Sequence, residues 1–146
     1  MEEIEHVEIL LAEDNPHDAE LAIRGLEKHK LANSVTWVKN GEQALDYVYR
    51  RGEFSDRANS APRLILLDLK MPKLDGIEVT RIIKSDEQTR HIPIVIMTSS
   101  QEEKDVADSY SFGANSYIVK PLDFNSLTEV AGQVGFYWLA INRPAS

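Results

Sequence analysis

The sequence predicts an α/β fold, a three-layer sandwich in which five parallel strands carry helices on both faces. Three observations predict it. Leu64-Ile65-Leu66-Leu67 is a continuous apolar run delivering Asp68 to its end, and a segment apolar on both faces reads as a central strand of a parallel sheet. Strand and helix signals alternate along the chain, the pattern of successive βα units. The chain has 146 residues, 42% hydrophobic and 27% charged, which fits one domain able to bury its own core.

The elements follow in order. Val7-Glu8-Ile9-Leu10-Leu11-Ala12 is a strand that ends at Glu13-Asp14. Asn15-Pro16 then supplies an N-cap and a proline at the first helical position, before Ala19, Ala22, Ile23 and Leu26 at helical spacing. Val35-Thr36-Trp37-Val38 is a short second strand. Asn40 caps a helix carrying Ala44, Leu45 and Val48, with Arg50-Arg51 as a basic last turn and Gly52 beyond it. Residues 53–61 are polar and small and read as a surface loop. After the central strand, Asp75 caps a third helix with Glu78 three residues on, and Val79, Ile82 and Ile83 face inward. Pro93-Ile94-Val95-Ile96-Met97-Thr98 is a buried strand, and Ser100-Gln101-Glu102-Glu103 fits a capping box for a fourth helix that Gly113 can end. Ser116-Tyr117-Ile118-Val119 is the fifth strand. Asp123 starts a last helix striped by Leu127, Val130, Ala131, Val134, Trp138 and Ile141. Right-handed crossovers then favour the flavodoxin-like strand order 2-1-3-4-5 of a (βα)5 sandwich.

Composition narrows the function. Without cysteine there is no disulfide framework, thiolate metal site or thiol nucleophile. No apolar run approaches a membrane span, and the acidic start Met1-Glu2-Glu3 is unlike a signal peptide, so a cytoplasmic protein is expected. A net charge of −8 argues against a nucleic-acid surface.

The predicted order brings the carboxyl ends of strands 1, 3, 4 and 5 together. They carry Glu13-Asp14, Asp68, Thr98-Ser99-Ser100 and Lys120. Three acids at one edge repel one another, and a divalent cation removes that cost. Oxygen ligands without Cys or a His pair suit Mg²⁺. A carboxylate nucleophile, a metal, a cation and a hydroxyl make a site for phosphoryl transfer, with the aspartate itself able to become an acyl phosphate.

At these residues the sequence resembles a known family. Glu13-Asp14, Asp68 followed by Met71-Pro72 and Asp75-Gly76, Thr98-Ser99, and Tyr117 through Lys120-Pro121 are similar to the motifs of the receiver domain of two-component response regulators. The resemblance covers residues 7–135. It implies that Asp68 is the phosphoacceptor, phosphorylated by a histidine kinase and catalysing only its own phosphorylation and dephosphorylation. It implies that Asp14 and Asp68 bind Mg²⁺ directly, with the Lys70 backbone carbonyl as third protein ligand and Glu13 acting through water. Thr98 and Lys120 would bind the phosphoryl group. Thr98 would move and Tyr117 turn inward to signal, and Lys120-Pro121 would be a cis peptide. Lys70 and Ser100 would tune phosphoryl lifetime. The surface of helix 4, strand 5 and helix 5 would then change, for protein contact or phosphorelay.

A narrower resemblance concerns Arg51 through Pro62 and the C-terminal Phe136-Tyr137-Trp138-Leu139 with Asn142. Both look like single-domain regulators paired with phytochrome-type histidine kinases. The expectation is one receiver over residues 1–146, with a helical extension and tail at 136–146 and no room for an output domain. Three successive aromatics on one helix cannot all face one core. They either cap the domain edge or form a partner surface, such as a homodimer through the helix 4–strand 5–helix 5 region. Other classes fit less well. An aspartate-nucleophile phosphatase wants an acid where Lys70 stands, and a flavin carrier of this fold wants a phosphate-cradling loop where Glu13-Asp14-Asn15-Pro16 stands. A receiver used only as an interaction module keeps the same site without its chemistry. His6, His17, His29 and His91 read as surface residues, and Glu102, Glu103 and Asp105 as a solvated helix start.

Overall fold

The computed structural model describes residues 8–28, 34–57, 61–110, 113–114, 116–120 and 125. The helix expected from Asp123, the Phe136-Tyr137-Trp138 run and the Lys120-Pro121 peptide fall outside these residues. Strands β1 (Glu8–Ala12), β2 (Ser34–Val38), β3 (Leu64–Asp68), β4 (Ile94–Thr98) and β5 (Ser116–Val119) alternate with helices α1 (Pro16–Lys28), α2 (Gly41–Tyr49), α3 (Gly76–Ser85) and α4 (Gln101–Tyr110). All neighbouring strands are parallel, in the order β2-β1-β3-β4-β5. That is the predicted order, in the flavodoxin-like class. No described helix is long and apolar enough to cross a membrane.

The strand pleat sorts the core into two layers. Leu10, Ala12, Ile65, Leu67, Ile94, Ile96 and Tyr117 point to the side covered by α2, α3 and α4. Ile9, Leu11, Leu64, Leu66, Val95, Met97 and Ile118 point to the other, against Ala19, Ala22 and Leu26 of α1. Every residue of β3 and β4 is buried, as a parallel sheet covered on both faces requires.

Caps set the helix starts. The Asn15 carboxamide accepts from the N–H groups of His17 and Asp18, at 2.9 and 3.1 Å. Asn40 accepts from Gln43 N–H and Asp75 from Glu78 N–H, at 2.8 and 2.9 Å. The exit from α2 departs from expectation. The helix closes before its basic pair, and Arg50 itself takes the left-handed conformation, φ 54°. Its N–H reaches back to Asp46 and Tyr47 carbonyls, so a hydrogen-bonded stop outweighs the usual penalty for a side chain there. The following segment is not wholly a loop either. Gly52–Phe54 forms a 3-10 turn, and Phe54 packs edge-on against the Tyr47 ring, centroids 5.2 Å apart.

Candidate functional site

β1 and β3 are neighbours in the sheet, with Ala12 beside Leu67, so the residues that follow each strand emerge side by side. Ligand atoms of Glu13, Asp14 and Asp68 all lie within 4.8 Å of one another. β5 lies beside β4, with Val119 paired to Thr98, and the Lys120 N–H donates to the Thr98 carbonyl at 2.7 Å. Lys120 therefore leaves the sheet aimed along the same edge. Its ammonium stands 2.9 Å from Glu13 Oε1, 2.9 Å from Asp18 Oδ2 and 3.4 Å from Asp68 Oδ1.

Charge and burial oppose each other here. Glu13 is 1% and Asp68 6% exposed, whereas Asp14 is exposed. Burial, followed by the neighbouring Glu13 carboxylate, pushes the Asp68 carboxyl up to about 8 despite the Lys120 charge. Burial alone would lower the Lys120 ammonium, but its hydrogen bonds to Asp18 and Glu13 and the charge of Asp68 together raise it. One cation thus serves three carboxylates, and the cluster keeps an uncompensated negative demand. Hard oxygen donors with no sulfur or imidazole in the cluster fit a hard divalent cation.

Thr98 is completely buried. Its hydroxyl is directed at backbone carbonyls, of Ser100 at 3.2 Å and Ile118 at 3.3 Å. Tyr117 is also buried and packs with the α2–α3–α4 side of the core, so its ring already occupies an inward position. The loop after β3 is anchored at both ends: Leu69 N–H donates to Met97 O and Gly76 N–H to Leu69 O, each at 2.8 Å. A Cβ on Gly76 would meet the Asp68 carbonyl oxygen at 2.7 Å, so the first residue of α3 must lack a side chain for Asp68 to sit where it does.

This arrangement of strand-end acids, lysine and threonine meets a family-level match. The family model of the response regulator receiver domain matches residues 9–131. The chain belongs to the response regulator receiver family. Among curated relatives of this receiver, FilR2 of Methanothrix harundinacea, a probable methanogenesis regulatory protein, is 42% identical over 92% of this chain and 85% of its own length. The response regulator Rcp1 of Synechocystis is 32% identical over 94% and 93%. The solved bacteriophytochrome response regulator RtBRR superposes with a TM-score of 0.87 at 45% identity, covering 97% of this receiver and 85% of that chain. The phosphorylated cyanobacterial phytochrome response regulator RcpA gives 0.72 at 36% identity, over 93% and 96%. The Mn²⁺-bound form of Rcp1 gives 0.73 at 32% identity, over 95% and 99%.

Of the receiver's predicted site residues, Glu13, Asp14, Asp68 and Lys120 converge. Thr98 lies at the same edge with its hydroxyl turned aside. The Lys70 side chain instead pairs with Glu103, Nζ to Oε2 3.1 Å. Glu103 is no solvated helix start: its other oxygen accepts from Ser99 N–H at 2.9 Å. Three partners escape a reading of sequence alone. Asp18 holds Lys120, and its signal is its place in the first turn of α1, just beyond the loop that carries Glu13 and Asp14. Glu103 bridges the loops after β3 and β4. The Trp37 indole N–H donates to the Glu13 carbonyl at 2.7 Å, and no local motif announces that contact.

Proposed function

We propose that Asp68 accepts a phosphoryl group from the phosphohistidine of a sensor histidine kinase. The observation that carries this reading is the convergence of a buried carboxylate, two further acids and a lysine at one sheet edge. An oxygen of the Asp68 carboxylate attacks phosphorus. The new O–P bond forms as the P–N bond to imidazole breaks, the leaving nitrogen keeps the electron pair, and an acyl phosphate results. Lys120 offers its ammonium to the charge on the transferring group, which is where positioning and neutralisation count most. Asp14 and Asp68, with the Lys70 carbonyl and with Glu13 through water, are the residues assigned to hold Mg²⁺. When bound, the ion neutralises phosphoryl oxygens and orients them for in-line attack. The Mn²⁺-bound state of Rcp1 and the phosphorylated state of RcpA support both parts of the proposal.

Phosphorylation adds charge and acceptor oxygens beside Thr98. Thr98 would leave the Ile118 carbonyl, which lies on β5 next to Tyr117, and donate to the phosphoryl group. That movement reaches the α4–β5 surface without requiring Tyr117 to travel inward. The kinase proposed is of phytochrome type, on the likeness to RtBRR and RcpA. Output would run through protein contact or phosphorelay from the cytoplasm, with a homodimer through helix 4, strand 5 and the following helix as one form of contact.

Intact-protein mass after incubation with acetyl phosphate tests the proposal. The expected result is a single phosphoryl adduct that needs Mg²⁺ and disappears in Asp68→Asn. No adduct on the wild type under any condition would overturn it and favour an interaction module. Size-exclusion chromatography of the same samples checks the dimer.

A further inference from the structure

The indole of Trp37 lies outside the charged cluster yet makes a direct bond to the loop that carries it. Trp37 is on β2, at the sheet edge, opposite Leu11 of β1. The chain leaves β1 with one more ladder bond, Glu13 N–H to Val38 O at 3.0 Å. It then turns away towards Asn15 and α1. The Glu13 carbonyl has no strand beside it at that turn, and the Trp37 indole N–H fills the place at 2.7 Å. The Glu13 carbonyl belongs to the peptide plane whose N–H is that of Asp14. A donor that fixes this plane fixes the direction in which Asp14 departs.

The rest of the loop leaves Asp14 as the residue that needs this. Glu13 is already held by its side chain, which pairs with Lys120 and accepts from Asn15 N–H at 3.0 Å. Asn15 is held as the cap of α1. Asp14 lies exposed between them. One face of the indole borders a cleft of about 660 Å³ lined by Pro16, His17, Glu20, Ile23 and Arg24. The Lys39 ammonium sits 5.5 Å from the ring centroid. The ring is thus joined to the acid loop at its nitrogen and half-buried beside that cleft, which places it to report on the loop through its emission.

We infer that Trp37 is a positioning residue for the divalent-cation site, its indole N–H holding the Glu13–Asp14 peptide so that Asp14 faces Asp68. This rests on the metal-binding reading of the acidic cluster. The role concerns affinity for the ion rather than the chemistry at Asp68.

The test measures Mn²⁺ binding, by the free-ion electron paramagnetic resonance signal, in three proteins of the whole chain carrying Trp138→Phe, so that Trp37 is the single indole of the first. The first keeps Trp37. The second has Trp37→Phe. The third has 3-benzothienylalanine at position 37, which keeps the ring shape and loses only the N–H. Removing one net hydrogen bond weakens binding about five-fold, so both altered proteins should show that loss. Acetyl phosphate uptake should fall at limiting Mg²⁺ and recover at saturating Mg²⁺. In the protein that keeps Trp37, indole emission should change along the same binding curve. A packing role would lower the melting temperature but leave the dissociation constant of the folded protein alone. Mn²⁺ affinity within two-fold of the parent in the benzothienyl protein overturns the inference, even if Trp37→Phe fails to fold. An invariant emission overturns it as well. Absence of any binding by the parent protein is a different result, and it overturns the metal reading itself.

Discussion

Asp68 bears a cost that comes from its own location. The unfolded chain releases its proton near the ordinary aspartate value of 3.8, whereas the folded protein holds it up to about 8. Below the first value both states are protonated and there is no penalty. Between the two values only the unfolded state gains by ionising, so this group makes the metal-free protein less stable as pH rises through that window. Asp68→Asn abolishes the term. Metal-free melts should show the variant pulling ahead of wild type from pH 5 to pH 8, by on the order of a few kcal/mol at the upper end. Added Mg²⁺ should act in the opposite sense. Its carboxylate ligands must be deprotonated, so the rise in melting temperature it gives should be larger at pH 8 than at pH 6. Equal rises at both values would mean that Asp68 does not titrate in this range. The identities of the acids, Thr98 and Lys120 were legible because each ends a strand, where sequence order fixes position. Asp18 and Trp37 were not, because their roles depend on which helix face and which edge strand come alongside.

At the scale of elements, the loops after β3 and β4 hold the site, and their supports differ in strength. Glu103 ties the two loops together by accepting from the Ser99 backbone N–H and pairing with the Lys70 ammonium. The Lys70 side chain is 79% exposed, and exposed pairs contribute between zero and about 1 kcal/mol. The hydrogen bond is the stronger link, and losing one net hydrogen bond costs about 1 kcal/mol. Glu103→Ala should therefore lower stability by about that much, and Lys70→Ala by clearly less, as read by urea titration. The ranking should hold at high salt, which screens the ion pair. Gly76 is stricter. An alanine there would press on the Asp68 carbonyl and on the Leu69 Cα at 3.2 Å. Gly76→Ala should cost roughly 1–3 kcal/mol, as overpacking does, and weaken divalent-ion binding in calorimetry because the Asp68 carboxylate moves with its backbone. The caps at Asn15, Asn40 and Asp75 were readable as residue types in the right place. The stop at Arg50 was not, since arginine carries no local preference for a left-handed turn and the bonds to Asp46 and Tyr47 decide it.

For the whole molecule, alternating strand and helix signals were enough to predict layers, strand order and the edge where the acids and Lys120 converge. The two cores also follow from the pleat, because odd and even strand positions separate cleanly. What the pattern could not supply was the docking of Phe54, a single aromatic in a polar stretch whose partner Tyr47 lies on another element. The two cores share one sheet, so damage at its centre should be felt everywhere. Leu66→Ala, fully buried in β3, should cost about 3 kcal/mol. It should lower the melting temperature of the whole domain in one transition, as followed by circular dichroism. β3 has one further consequence, in the time domain. It is flanked by β1 and β4 and buried along its length, whereas β2 is an edge strand, half-buried for most of its length. In deuterated water the amides of Leu66 and Leu67 should be among the last to exchange, and β2 should lose its protons far sooner. Asp68 would then stand at the end of a slow-exchanging strand, so the proposed phosphoacceptor would be mounted on a part of the molecule that scarcely opens.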